Sequence, residues 1–157
     1  MLYLIRLSDS STYFGVGNYK ELTAVPARNS SFSYLLMHEF GHFMGLNEEY
    51  EGGGKTELAF APGIEEPWSQ NITFLPANHK LKWSAHVSSS TPIPTPDNVW
   101  RGSGPFGAYQ GGYAQTQPYG TSHKPGQACT MESAGSFCPI CMSAMLDVMA
   151  FDLGEKK

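Results

Sequence analysis

No stretch of this sequence stays apolar for more than a few residues, so none is long enough to span a bilayer. Basic runs are missing too. The longest is Lys156-Lys157 and the formal net charge is −4, a balance that argues against a nucleic-acid partner. Charge of either sign is sparse at 15% of residues, below the usual share for a soluble domain. There are only three cysteines: Cys129, Cys138 and Cys141. An odd count leaves three readings open: a disulfide with one thiol left over, part of a second metal site, or three reduced thiols. The opening Met1-Leu2-Tyr3-Leu4-Ile5-Arg6 is too short for the apolar region of a secretory signal. On that ground the chain is either cytosolic or an excerpt from a longer precursor. No internal repeat is visible.

What the sequence has in quantity is Gly (17), Pro (11) and aromatics (13%). At 157 residues it fits one domain, 1–157, able to bury a real core but built with many turns and long irregular segments. Residues 2–7 read as a buried strand ended by Ser8-Asp9-Ser10-Ser11. Residues 13–16 and 22–25 read as short or edge strands, the second halted by Pro26. Asn29-Ser30-Ser31 offers N-cap residues for a helix over 33–44, with Leu36, Phe40 and Phe43 on one side and Gly45 as its stop. From Glu51 to Gly126 little periodicity survives, yet Trp68, Phe74, Trp83, Trp100, Phe106, Tyr109, Tyr113 and Tyr119 argue for order. A second helix is expected over 139–153, with Ile140, Ala144, Met145, Val148 and Met149 as apolar positions. The expected division is an upper half, 1–50, carrying the first helix, and a loop-rich lower half, 51–157. The fold class is therefore α/β (α+β): a small twisted sheet, two helices and a cleft built from loops.

The chemistry sits in His38-Glu39-Phe40-Gly41-His42, which matches H-E-x-x-H. Histidines four apart share one helix face about a turn from each other, so both rings can reach one Zn²⁺ at roughly 2.0–2.1 Å. Glu39 is one residue round from His38, which aims it past the metal toward a water whose pKa zinc lowers toward about 7. A helix carrying a chance match would hold two satisfied core histidines instead. A third ligand is needed. In the metzincin pattern H-E-x-x-H-x-x-G-x-x-H the chain turns at the Gly and presents a ligand three residues later. That position is Glu48 here, a carboxylate in place of the usual histidine and an acceptable zinc ligand. Glu49 is the alternative, because turn geometry can shift the choice by one residue. The gluzincin arrangement would draw on Glu57, Glu65 or Glu66. These lie among Gly52-Gly53-Gly54, Pro62-Gly63 and Pro67, where a stable helix is not expected. Met131, ahead of the last helix, is the candidate for a methionine turn beneath the zinc, with ordinary core packing as its other reading.

The run from His38 through Glu48-Glu49-Tyr50 resembles the IgA-specific metalloendopeptidase family of secreted bacterial zinc peptidases. Three later segments are similar as well: Trp83 with Thr91-Pro92-Ile93-Pro94-Thr95-Pro96, Gly107-Ala108-Tyr109-Gln110-Gly111-Gly112-Tyr113, and Cys129-Thr130-Met131 with Phe137-Cys138-Pro139-Ile140-Cys141. Together they cover about residues 34–145. The resemblance implies a metzincin-like fold, one catalytic Zn²⁺, secretion or surface display, and hydrolysis of extracellular proteins, immunoglobulin A among them. It implies His38, His42 and Glu48 as ligands, Glu39 as the base and Met131 as the turn methionine. It also implies a domain whose first strand and helix are not in this chain.

Secondary candidates remain. Tyr109 and Tyr113 can be read as donors to the oxyanion of a tetrahedral intermediate or as packing aromatics. The strand region 13–25 would pair with an extended substrate. Cys138-Pro139-Ile140-Cys141 with Cys129 and His123 can be read as a structural Cys₃His zinc site, although a disulfide from Cys129 to Cys138 or Cys141 is preferred, with a bridge within the C-x-x-C pair as a further reading. Asn29-Ser30-Ser31 and Asn71-Ile72-Thr73 match the glycosylation sequon, a triplet that arises often by chance. His79 and His86 are read as surface or packing residues. The expected partner is a protein or peptide substrate, met by a monomer without nucleic acid. Two rivals stand against the peptidase: a zinc-binding or adhesion module derived from one, and a cytosolic structural protein with a chance motif.

Overall fold

A computed structural model describes residues 4–7, 23–26, 32–50, 66–67, 69–74, 81–96, 106–112, 123–125 and 128–155. The order of elements is β1 (Leu4–Leu7), β2 (Thr23–Pro26), α1 (Phe32–Phe43), β3 (Tyr109–Gln110), β4 (His123–Lys124) and α2 (Pro139–Asp152), with a 3₁₀ turn at Ser84–His86. The fold class is mixed. β1 and β2 pair in parallel, Leu4 with Thr23 through Leu7 with Pro26, and α1 lies beside β2. β3 and β4 form a separate antiparallel pair, Tyr109 with Lys124 and Gln110 with His123. The strand expected at 13–16 lies outside the described residues.

α1 ends where the sequence places a glycine, and the stop has a specific form. Gly45 takes φ 91°, its N–H donates to His42 O at 2.9 Å, and the Leu46 N–H donates to Gly41 O at 2.9 Å. This pair of bonds is the Schellman arrangement, which satisfies the last carbonyls of a helix and sends the chain away from its axis. Leu46, 2% exposed, then drops into the core.

The face of α1 that is most enclosed carries Leu35, His38, Glu39 and Gly41, whereas Leu36, Phe40 and Phe43 are only half-buried. The apolar stripe read from the sequence is therefore the secondary one. Phe40 and Phe43 stack at 5.9 Å between ring centroids and cover the core from one side. Burying two ionisable side chains ahead of Leu36, Phe40 and Phe43 is costly unless they are partnered, so this face already marks the site. In α2 the buried positions are Ile140, Cys141, Ala144 and Met145. Of the other apolar positions, Val148 is half-buried against the core and Met149 is 40% exposed.

The core joins Met44 and Leu46 to Leu81, Trp83, Ala108, Cys129, Met131, Phe137, Cys138, Ile140, Cys141, Ala144 and Met145. Side chains stitch the irregular segments to it. Trp83 Nε1–H donates to Gly107 O at 2.6 Å, and Thr95 Oγ1 accepts from the Ala108 N–H at 2.8 Å while donating to Pro92 O. Lys82 Nζ donates to the carbonyls of Pro67, Ser69 and Ile72 and pairs with Glu66 at 3.1 Å. Burial pushes the Lys82 pKa down against that ion pair, so the ammonium serves as a clamp for three carbonyls that would otherwise be buried without donors. Polar anchoring of this kind replaces regular ladders. Because Gly45 needs its positive φ, Gly45→Ala is expected to cost about 1–2 kcal/mol and lower the thermal midpoint by several degrees. A midpoint unchanged in calorimetry would contradict this account of the turn.

Candidate metal centre

The centre starts from two hydrogen bonds. His38 Nδ1 lies 2.9 Å from Thr130 O, and His42 Nδ1 lies 2.9 Å from Leu46 O. A carbonyl only accepts, so each Nδ1 carries the hydrogen and each Nε2 presents a lone pair. Those two Nε2 atoms face each other at 3.2 Å, with the rings edge-on at 89°. A hydrogen bond between them would need one ring to be an imidazolium. Burial, together with the neighbouring His42 and against the Thr130 bond, holds the His38 pKa below its usual value. Two lone pairs aimed at one point are the donor set for a cation. Ligands of a tetrahedral zinc at 2.0–2.1 Å stand about 3.3 Å apart, so the observed separation fits.

Glu48 joins this pair, with its Oε1 3.8 Å from His42 Nε2. Glu39, 6% exposed, sits one residue round the helix; burial first, then the Glu48 charge, push its pKa up to about 7. Two phenols that the sequence reading did not assign also border His38. Tyr34 approaches at 5.7 Å between centroids and Tyr50 at 5.9 Å, roughly parallel to the imidazole. Tyr34 was open to inference, since it precedes His38 by one helical turn. The Tyr50 hydroxyl is pushed up to about 12 by burial and by the Glu48 and Glu39 charges, so it stays a proton donor. Tyr109 is fully buried in β3, and Tyr113 lies outside the described residues.

Glu49 goes elsewhere. It is fully buried, and its Oε1 accepts from Asn71 Nδ2 at 3.0 Å and from Cys141 Sγ at 3.0 Å. Residues 46–49 run without helix after the turn, so neighbouring side chains point to opposite sides. Asn71 fixes this stretch from three directions: its Nδ2 also donates to Asn47 O at 2.7 Å, and its Oδ1 accepts the Asn47 N–H at 3.0 Å. Asn47 Nδ2 reaches Ser69 Oγ at 2.8 Å. Fully buried and committed in this way, Asn71 is a structural residue and not an exposed sequon asparagine.

Met131 lies under the helix. It is fully buried, a Cβ on Gly41 would collide with its Sδ and meet Phe137 Cε1 at 3.0 Å, and its carbonyl accepts the Glu49 N–H at 2.8 Å. The glycine between the two histidines is thus required by close approach. The cysteines beside it are all buried free thiols in this structure, with no disulfide joining Cys129 to Cys138 or Cys141. The residue that joins them is Glu49: the four donor atoms of Glu49, Cys129, Cys138 and Cys141 lie within 4.8 Å of one another. For His123 only the backbone position in β4 is described.

A protein-family model described as IgA Peptidase M64 matches residues 2–103, well over half of the chain. The chain belongs to this family. M64 membership makes it a peptidase acting on protein substrates, and the matched stretch contains α1, the Schellman turn and both glutamates. Met131 and the three cysteines lie beyond it. Among curated proteins, none matches the chain.

Replacing Asn71 with alanine would leave the Asn47 carbonyl and amide without their buried partner and loosen both glutamates. Asn71→Ala is expected to cost about 2–3 kcal/mol in urea unfolding, and a loss under about half a kcal/mol would contradict the anchoring role.

Proposed function

We propose that the chain is the catalytic part of a zinc-dependent endopeptidase of metzincin type, with His38, His42 and Glu48 as ligands and Glu39 as the general base. The observation that carries the reading is the pair of imidazole lone pairs converging at 3.2 Å beside the Glu48 carboxylate. A cation bound there would polarise the scissile carbonyl and acidify a water molecule.

The chain's own residues then divide the work. Glu39 takes a proton from the attacking water as its oxygen bonds to the carbonyl carbon, and hands that proton to the amine nitrogen as the C–N bond breaks. Enclosure raises the basicity of Glu39 into the range where both transfers are feasible near neutral pH. Thr130 O and Leu46 O keep the imidazoles in the required tautomer. Tyr50, 37% exposed beside His38, is better placed than the enclosed Tyr109 to donate to the developing oxyanion. Met131 fills the role of the turn methionine by supporting α1 at Gly41. Glu48 is favoured over Glu49 as the third ligand because the Glu49 carboxylate is occupied by Asn71 and Cys141.

The family description points to immunoglobulin A as a substrate, and with it to action outside the cell. No described helix is long and apolar enough to cross a membrane.

Glu39→Ala is expected to retain zinc while losing at least about 10²–10⁴-fold in proteolysis of casein or immunoglobulin A. Activity that survives intact would mean that the base is another residue. Glu48→Ala is expected to weaken zinc binding at the imidazole pair, measured by competition with a chelator. Unchanged affinity would remove Glu48 from the ligand set.

A further inference from the structure

Among the described residues outside the imidazole site, one cluster of metal-ligating side chains is left without a role in peptide hydrolysis. Glu49, Cys129, Cys138 and Cys141 are 0%, 1%, 3% and 0% exposed, and one ligand atom from each falls within 4.8 Å of all the others. We propose that these four residues form a second, closed zinc site with a structural function.

The donor set is the first argument. Three thiols and a carboxylate give four ligands with no opening for water, which is the composition of a structural and not a catalytic zinc site. The Cys138-Pro139-Ile140-Cys141 spacing is the two-residue gap typical of such sites. A tetrahedral zinc with bonds of about 2.3 Å to sulfur holds its ligands within about 3.8 Å of one another, so small side-chain movements close the cluster on an ion.

The surroundings are the second argument. Cys138 is the residue before α2 and Cys141 lies in its first turn, where the helix end favours negative charge. The Cys138 N–H donates to Cys129 Sγ at 3.4 Å, and Asn71 Nδ2 donates to Glu49 Oε1 at 3.0 Å. Hydrogen bonds to ligand atoms of this kind orient them and stabilise their anionic forms. A disulfide would use two sulfurs, strand the third, and bring no positive charge to a carboxylate enclosed among them.

Position gives the site its purpose. Glu49 follows Glu48, and Cys129 precedes Thr130, whose carbonyl fixes His38. The Glu49 N–H bonds to Met131 O between them. A cation holding Glu49 and Cys129 would clamp together the two chain segments that supply Glu48 and the Thr130 carbonyl, separated by some eighty residues of sequence. The proposal does not depend on the peptidase reading.

The test is metal and thiol analysis of the full chain purified in reducing buffer without chelator. Two zinc ions per chain are expected in the wild type and one in His38→Ala/His42→Ala. All three thiols should resist modification until the protein is unfolded with a chelator. Loaded with cobalt in place of zinc, that variant should show thiolate-to-metal charge-transfer absorption, as should the cobalt-loaded wild type if the variant fails to fold. Zinc absent from a folded His38→Ala/His42→Ala chain, cobalt spectra without the thiolate band, or a single titratable thiol in the unfolded chain of a parallel preparation made without reductant would each overturn the proposal.

Discussion

The arrangement depends on two carbonyl oxygens. Thr130 O and Leu46 O each take the Nδ1 hydrogen of one histidine and thereby turn both Nε2 lone pairs toward a common point. Imidazoles free to rotate would each form one hydrogen bond with water and separate. Held as they are, they repel unless a cation lies between them. An enclosed, electron-rich pair of this kind is costly for a protein alone, and a bound cation would relieve that cost.

Much of the remaining architecture can be understood as support for those two carbonyls. Leu46 is delivered by the Schellman turn at Gly45, so the residue that ends α1 also sets the tautomer of its last histidine. Thr130 reaches His38 because Met131 fits against Gly41, where any side chain would intrude. Beyond the turn the chain alternates, with Glu48 facing the imidazoles and Glu49 facing the thiols. Two adjacent acids thus serve opposite sides of one strand of chain. Asn71, from a segment more than twenty residues away, fixes which side each takes.

The sequence made the local parts readable. Four-residue spacing put His38 and His42 on one face, and Gly45 marked the helix end, because both follow from helix geometry within a few residues. The described parts of the long loop region are held by Trp83, Thr95 and Lys82 bonding to carbonyls, and no periodicity records such bonds. The Thr130–His38 contact spans 92 positions and uses a backbone atom, which leaves no trace in residue type. Asn71 looked like a sequon and is an internal strut, since burial and not the triplet decides its role. The cysteines drew attention as a set, but the fourth member, Glu49, was hidden by its neighbour.

Diffraction at the zinc absorption edge, on crystals of the whole chain, addresses the central claim most directly. The account predicts an anomalous peak bonded to Nε2 of His38 and Nε2 of His42 at about 2.0–2.1 Å and to a Glu48 oxygen at about 2.0–2.2 Å. Both Nδ1 atoms should still point at Thr130 O and Leu46 O. A zinc-soaked crystal with no peak between those rings, or with either ring turned away from its carbonyl, would contradict it.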